Sequence, residues 1–317
     1  MTRKIDTEYD GSDLDKAQRA SFLHWCAAKQ ESVNLDSSIE LKYLQKRKIL
    51  GTGSFGQVHL VKHTTSNEYY ALKMVYKATV VQLAQQDHIL NEKTVLTCLN
   101  SPFIIRLIST FQDTDSVYFL LEPVIGGELF VILRRCKRFN EKSAQFYSAC
   151  VGKKINKMFF FEAFEHMHSK SIVYRDLKPE NLLIDQKGYL KITDLGFAKF
   201  VYDKTYTLCG TPDYLAPELI SGKGHDRAVD WWTLGILIYE MIASFPPFYA
   251  KTRIQTYDHI IKDRCVFPAH FTTSVCSLIR KLLHKNPPKG WVLSKEQQTM
   301  FDNIDGLKIL IGKNFVN

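Results

Sequence analysis

The sequence lacks the long apolar runs that membrane insertion requires. No stretch of about 18 residues is both apolar and free of charge. The most apolar stretch, 233–250, contains Glu240 and is interrupted by Pro246 and Pro247. The first residues, Met-Thr-Arg-Lys, lack the apolar centre of a signal peptide, and Thr2 stands where N-myristoylation requires glycine. These absences predict a protein without a membrane span, located in the cytoplasm or also in the nucleus.

Paired cysteines and long runs of basic residues are also missing. The seven cysteines are scattered and none forms a CxxC pair, which argues against a disulfide framework or a zinc site. The net charge is +9, a balance that can mark nucleic-acid binding. The basic residues are dispersed, however, with only short clusters at 46–48 and 134–138. We therefore expect a solvated basic surface that tolerates an anionic ligand, and no nucleic-acid partner.

The order of sequence patterns predicts a β-rich first part and an α-rich second part. The chain has 317 residues, enough for one large domain or two lobes. Periodicity predicts an amphipathic helix within 14–29 and a helical segment over 78–100. We place the junction between the two parts near 122–127. Strand-like runs occupy 57–62, 69–75, 104–111, 116–121, 182–185 and 189–192.

A glycine-rich loop at 50–58 is the first chemical signal. Gly51, Gly53 and Gly56 allow a backbone to bend sharply and to approach phosphates closely. The same spacing occurs in dinucleotide-binding turns, but a helix must follow those turns. Here a strand-like run follows, which favours a glycine-rich hairpin over a nucleotide. An ordinary glycine turn remains the alternative for this motif taken alone.

A lysine and a carboxylate strengthen the nucleotide interpretation. Lys73 lies on the next strand-like run, and Glu92 lies in the helical segment that follows. A lysine that pairs with both a phosphate and a carboxylate stays protonated and well oriented. Each residue alone is more often a surface charge, so the interpretation depends on their order along the chain.

Polar residues crowd into 174–181 and return at Asp194. Asp176 can accept or orient a hydroxyl proton, and Lys178 can neutralise charge on a transferred phosphoryl group. Asn181 and Asp194 offer hard oxygen ligands, which suit Mg²⁺. Two such oxygen ligands together with ATP phosphates fit the way proteins hold Mg²⁺, although each of these polar residues alone is more often a solvated loop residue.

Together these motifs resemble the eukaryotic protein kinases, in particular the AGC group and, within it, the catalytic subunits of cAMP-dependent kinases. The resemblance covers roughly residues 44–283. It implies an α+β, bilobal fold with an antiparallel-sheet N-lobe that carries one main helix, and a larger helical C-lobe. The implied divisions are an N-terminal extension with an amphipathic helix (1–43), an N-lobe (44–124) and a C-lobe (125–317). The motifs that carry the resemblance are the glycine loop, 71–73, 88–93, 174–185, 205–218 and 230–232.

The resemblance also implies roles for individual residues in moving the γ-phosphate of ATP to serine or threonine. Asp176 would be the catalytic base, Lys73 would hold the α- and β-phosphates while paired with Glu92, and Asn181 and Asp194 would bind Mg²⁺. Backbone groups of Glu122 and Val124 would meet adenine. The remaining nucleotide-site residues are Leu50, Gly51, Thr52, Gly53, Ser54, Phe55, Gly56, Val58, Ala71, Leu121, Glu128, Leu183 and Thr193. An apolar column aligning the lobes would comprise Leu96, Leu107, Tyr174 and Leu195, the last replacing the usual phenylalanine.

Regulation and substrate choice follow from the same resemblance. Thr207 matches the phosphorylation site of the activation loop, modified by an activating kinase or by the chain itself. Its phosphate would be caged by Arg175, Lys199 and His88. A preference for Arg-Arg-x-Ser/Thr-apolar substrates is implied, and so is a cyclic-nucleotide-binding regulatory subunit as a partner. The arginine-binding carboxylates would be Glu128, Glu180 and Glu240, and the apolar pocket would comprise Leu208, Pro212 and Leu215.

The sequence departs from this family in two places. Residues 152–160 interrupt a stretch that is one buried helix in the family, and nine extra residues would rotate the helical phase by about 180° unless they loop out. They are either a genuine bulge or an unspliced intron. The end of the chain, 287–317, lacks the AGC tail, and Gly290 stands where an arginine would pair with Glu218. The chain is thus either an active kinase or an inactive pseudokinase scaffold.

Overall fold

A computed structural model describes residues 35–152 and 163–287. Its strands are β1 (Leu44–Gly53), β2 (Gly56–His63), β3 (Tyr69–Tyr76), β4 (Leu107–Gln112), β5 (Ser116–Leu121), β6 (Ile172–Val173), β7 (Leu182–Ile184), β8 (Leu190–Ile192) and β9 (Lys199–Phe200). Its helices are α1 (Lys77–Gln82), α2 (Gln86–Cys98), α3 (Leu129–Cys136), α4 (Glu141–Gly152), α5 (Ala163–Ser169), α6 (Pro217–Ile220), α7 (Ala228–Ala243), α8 (Arg253–Lys262) and α9 (Thr273–Leu282). The helix expected within 14–29 lies outside the described residues.

The first part of the chain forms a five-stranded antiparallel sheet in the order β1-β2-β3-β5-β4. Strand β1 was not among the predicted runs, and β4 begins three residues later than expected, at Leu107. The segment predicted as one helix over 78–100 is two helices, because the chain adopts a left-handed conformation at Ala84 (φ +51°). The predicted α+β fold, with a sheet-containing N-lobe and a helical C-lobe, is confirmed.

Helix α7 forms the centre of the C-lobe. All of its residues from Ala228 to Ala243 are buried, as expected for a helix that is apolar on every side. Gly235 is required there, because a Cβ on it would lie 2.8 Å from Leu283 and 2.9 Å from Leu282. Helices α4 and α9 pack against α7, so the lobe is built around this single helix.

The helix expected to be interrupted at 152–160 keeps its buried face on both described sides of the interruption. Helix α4 extends to Gly152 and α5 is described from Ala163, and the two helices pack against each other. Val151 upstream and Phe164 and Met167 downstream are each 0% exposed. The downstream residues have therefore not turned towards solvent, although nine extra residues would reverse a continuous helix.

One apolar core joins the two lobes. The four residues of the expected column, Leu96, Leu107, Tyr174 and Leu195, belong to it and are at most 2% exposed. A second core covers the other face of the sheet and includes Val61 and Leu120. None of the helices in the described ranges is long and apolar enough to cross a membrane.

Candidate active site

One face of the N-lobe sheet carries the side chains expected around a nucleotide. Strand register places Val58 opposite Lys73, and Ala71 opposite Leu121. Directly opposed residues share a face, and so do residues two apart on one strand. Val58, Ala71, Lys73 and Leu121 therefore lie on the same side of the sheet. On the C-lobe side, Leu183 is half-buried on β7, which pairs with β8.

The glycine loop is a tight hairpin between β1 and β2. Gly53 pairs with Gly56, which leaves only Ser54 and Phe55 at the turn. Gly56 is sterically required, because a Cβ would lie 1.9 Å from the carbonyl oxygen of Met74 on β3. At Gly51 and Gly53 a Cβ would meet nothing within 4 Å. Leu50 and Thr52 are exposed on the same hairpin. The glycine-rich end of the hairpin is therefore open to solvent.

Lys73 and Glu92 form a close ion pair between β3 and α2. Nζ of Lys73 lies 2.6 Å from Oε1 of Glu92, whose side chain is 5% exposed. Burial lowers the pKa of Lys73, but the negative charges of Glu92 and Asp194 outweigh burial and raise it overall. The lysine therefore stays protonated and fixed in position, as phosphate binding requires.

Asp176 is held by three neighbouring side chains. Lys178 Nζ donates to Oδ2 at 2.9 Å, Asn181 Nδ2 donates to the same oxygen at 2.8 Å, and Thr211 Oγ1 donates to Oδ1 at 3.3 Å. Lys178 also donates to Thr211 at 3.1 Å. Burial raises the pKa of Asp176, and the charge of Lys178 opposes that rise. Thr211 lies within the 205–218 motif but is not among the predicted site residues, and its hydrogen bonds add it to the site.

Thr193, the residue before Asp194, bonds to the backbone of Asn181 and so links the two expected Mg²⁺ ligands. The N–H of Thr193 donates to the carbonyl of Asn181 at 2.9 Å, and its hydroxyl donates to the same oxygen at 3.1 Å. Asp194 is exposed and adopts a left-handed conformation, φ +54°. An amide oxygen and an exposed carboxylate beside Lys73 are a donor set that fits Mg²⁺ bound to phosphates.

A buried carboxylate that the sequence analysis left without a specific role anchors the loop carrying Asp176. Asp230 on α7 is 0% exposed. It accepts hydrogen bonds from the backbone N–H groups of Tyr174 at 2.9 Å and Arg175 at 2.8 Å. His168 Nε2 lies 2.7 Å from the same carboxylate. Arg175 needs this support because its backbone is left-handed, φ +69°.

Comparisons with known proteins identify this arrangement. Residues 44–300 match the family model described as "Protein kinase domain". The chain belongs to the protein kinase family. It is 49% identical over 243 residues to a cAMP-dependent protein kinase catalytic subunit of Dictyostelium discoideum. It is 42% identical over 282 residues to cAMP-dependent protein kinase type 3 of Saccharomyces cerevisiae. It is 50% identical over 234 residues to the human cAMP-dependent protein kinase catalytic subunit PRKX.

These matches cover 77, 88 and 74% of this chain, respectively. They cover 36, 69 and 63% of the three relatives, so this kinase chain spans only part of the length of each. The similarities agree with membership of the AGC group.

Thr207, the expected phosphorylation site, is exposed to solvent. Arg175 Nε donates to the carbonyl of Phe197 at 2.8 Å, and the ring of His88 packs edge-on against Phe197 at 5.6 Å. Burial lowers the pKa of His88, and the nearby charge of Arg175 lowers it further. Lys199 lies on β9. Of the residues expected to cage a phosphate on Thr207, Arg175 and His88 thus meet at Phe197, and Lys199 lies two residues further along the chain.

The residues expected to bind substrate differ in accessibility. Glu128 and Glu180 are exposed, and so is Leu208, whereas Leu215 is buried.

Glu240 is not a free carboxylate. It is 3% exposed and already bonded by Arg134 Nη2 at 2.9 Å and by the hydroxyl of Tyr214. A substrate arginine would have to share Glu240 with Arg134 or displace it. This internal pair was not foreseen from the sequence.

Glu218 on α6 carries a buried carboxylate oxygen. Among the described residues, nothing hydrogen-bonds its Oε2 atom. Burial raises the pKa of Glu218 to about 7. Residue 290, where the family arginine would stand, lies outside the described residues. The described environment therefore favours the neutral form of this carboxyl.

Proposed function

We propose that this chain is an active serine/threonine protein kinase, which transfers the γ-phosphate of ATP to protein substrates. The observation that carries the proposal is the arrangement of Asp176. Its carboxylate is held by Lys178, Asn181 and Thr211, and the charge of Asp194 acts on both Asp176 and Lys73, the partner of Glu92. The relatives' names, all cAMP-dependent protein kinases, support it.

Each residue then has a physical task. Asp176 accepts the proton of the substrate hydroxyl, and its raised pKa strengthens it as a base. Lys178, which touches both Asp176 and Thr211, neutralises negative charge on the phosphoryl group in transfer. Lys73 positions the α- and β-phosphates. Mg²⁺, held by Asn181 and Asp194, would supply charge neutralisation at the phosphates when bound.

We further propose a preference for substrates with arginines N-terminal to the target serine or threonine. Two exposed carboxylates, Glu128 and Glu180, are free to accept guanidinium groups, which carboxylates bind through paired hydrogen bonds. Glu240 can bind a substrate arginine once Arg134 has moved away from it. An apolar residue after the target would contact exposed Leu208.

Phosphorylation of Thr207 would organise the site. A dianion there attracts Arg175, Lys199 and His88, and Arg175 directly precedes Asp176. A partner that carries a cyclic-nucleotide-binding domain would provide further control.

The experiment is transfer of labelled phosphate from Mg-ATP to a peptide containing Arg-Arg-x-Ser-Leu. The peptide with both arginines changed to glutamate tests the preference, and Asp194→Ala tests the chemistry. Asp115→Ala, an exposed aspartate on a distant turn, is the matched control. We expect transfer from the native chain and from Asp115→Ala, and none from Asp194→Ala. Nucleotide binding without transfer by folded native protein would instead support an inactive scaffold.

A further inference from the structure

The hinge between the lobes contains a carboxylate with two donors. Oε1 of Glu122 accepts a hydrogen bond from Nζ of Lys191 at 2.8 Å and from the backbone N–H of Arg106 at 2.9 Å. The backbone N–H of Glu122 donates in turn to the carbonyl of Arg106 at 3.1 Å. Backbone groups of Glu122 and Val124 are the ones expected to meet adenine. The carboxylate of Glu122 therefore fixes the same residue whose backbone would bind the base.

Lys191 connects this hinge to the floor of the nucleotide site. It lies on β8 directly opposite Leu183, the C-lobe residue expected to contact adenine. Its side chain is 12% exposed and that of Glu122 is 26% exposed, so the ion pair is partly shielded from water and salt. The Lys191–Glu122 pair thus connects the β7–β8 hairpin of the C-lobe to the segment that follows β5 of the N-lobe.

A second connection makes this pair part of a closed loop of contacts. Strand β8 is bonded to the chain that precedes β4, since Ile192 N donates to Phe103 at 2.8 Å and Ile105 N donates to Ile192 at 2.9 Å. Arg106 follows directly and bonds to Glu122. Lys191 closes the loop by returning from β8 to Glu122. Breaking the ion pair leaves Glu122 held by its bonds to the backbone of Arg106.

We propose that Lys191 is a positioning residue for nucleotide binding, which acts through Glu122 to hold the hinge backbone and Leu183 at the spacing that an adenine ring requires. The proposal rests on the proposed function only in taking an adenine nucleotide as the ligand. Lys191 itself contacts no nucleotide in this scheme. Its effect is preorganisation, which lowers the conformational cost of binding.

The test compares direct binding of ADP and steady-state kinetics in three single variants. Lys191→Met removes the charge and keeps an apolar stem of similar length, and Lys191→Arg keeps the charge. Lys187→Met changes an exposed lysine on the turn of the same hairpin. We expect Lys191→Met to weaken ADP binding about five-fold, as for a partly shielded ion pair, and to raise KM for ATP rather than lower kcat. The ADP affinity of Lys191→Arg should stay within about two-fold of that of the native chain. Lys187→Met should bind ADP as tightly as the native chain does.

A double-mutant cycle with Glu122→Gln separates positioning from other roles. If Lys191 acts through Glu122, adding Lys191→Met to Glu122→Gln causes no further loss of ADP affinity. If Lys191→Met lowers ADP affinity equally in the native chain and in Glu122→Gln, the proposal is overturned, because Lys191 would then act on the nucleotide directly. A lowered melting temperature with unchanged ADP affinity would overturn it as well, since the role would be structural only. Because ADP binding needs no transfer, a native chain that binds ADP without phosphorylating the peptide would sink the proposed function and leave this inference standing.

Discussion

Replacing Glu218 by glutamine tests whether its buried carboxyl opposes folding. The folded chain gives the Oε2 atom no hydrogen-bond partner among the described residues, and burial raises the pKa of Glu218 from 4.5 to about 7. Between these two values the folded chain keeps a proton that the unfolded chain has lost. Stability therefore falls as the pH rises from 4.5 to 7 and stays low above 7.

The size of this effect follows from the two pKa values. Their difference corresponds to at most about 3 kcal/mol of lost folding free energy at pH 8, and to about 1 kcal/mol at pH 5.5. Glutamine does not titrate, so Glu218→Gln removes the pH-dependent part. The unpaired amide adds its own penalty, but that penalty is the same at every pH. We therefore expect the free energy of unfolding of Glu218→Gln, relative to that of the native chain, to rise by about 2 kcal/mol between pH 5.5 and pH 8.

The assay is urea unfolding of both proteins at pH 5.5, 6.5 and 8, followed by fluorescence and circular dichroism. Glu40→Gln is the matched control, because the Glu40 side chain is 55% exposed and pairs with exposed Lys42. Its effect should stay within about 0.5 kcal/mol. A stability difference between Glu218→Gln and native that is the same at all three pH values would refute the reasoning.

Two further substitutions probe the site. Thr211→Val keeps the shape but removes the bonds to Asp176 and Lys178, so kcat at saturating ATP should fall about five- to ten-fold with KM for ATP nearly unchanged. An unchanged kcat would exclude a role for the hydroxyl. Lys73→Met leaves Glu92 buried without its cation, which typically costs about 3–5 kcal/mol. We expect kcat/KM for ATP to fall at least about 100-fold. Retention of a tenth of native activity would contradict the proposed role of Lys73 in positioning the ATP phosphates.

Much of the fold and site could be predicted because local patterns and ordered motifs pointed to the same answer. The bounds of β5 (Ser116–Leu121) agree with the predicted run, and β2 and β3 differ by at most a residue at each end. The Lys73–Glu92 pair joins two elements that the motifs had already placed in order. By contrast, periodicity could not reveal the break at Ala84, because apolar residues continue on both sides of it.

Contacts between distant parts of the chain escaped prediction. Asp230 and His168 are 62 residues apart in sequence, and Lys191 and Glu122 are 69 apart. Each residue alone has the character of an ordinary surface charge or core histidine. Only the packing of β8 against the hinge, and of α7 beneath the loop at 174–181, shows which charges meet. The same applies to Glu240, whose internal partner Arg134 lies 106 residues earlier.

The left-handed backbone of Asp194 has a consequence for how this kinase responds to selection. That conformation favours glycine over every other residue, although aspartate and asparagine tolerate it better than most, and the expected chemistry needs a carboxylate. A library sorted only for survival after heating would therefore enrich glycine at position 194. Its winners would be more heat-resistant and less able to transfer phosphate. Any effort to stabilise the chain should hold this position constant, because stability and function select different residues there.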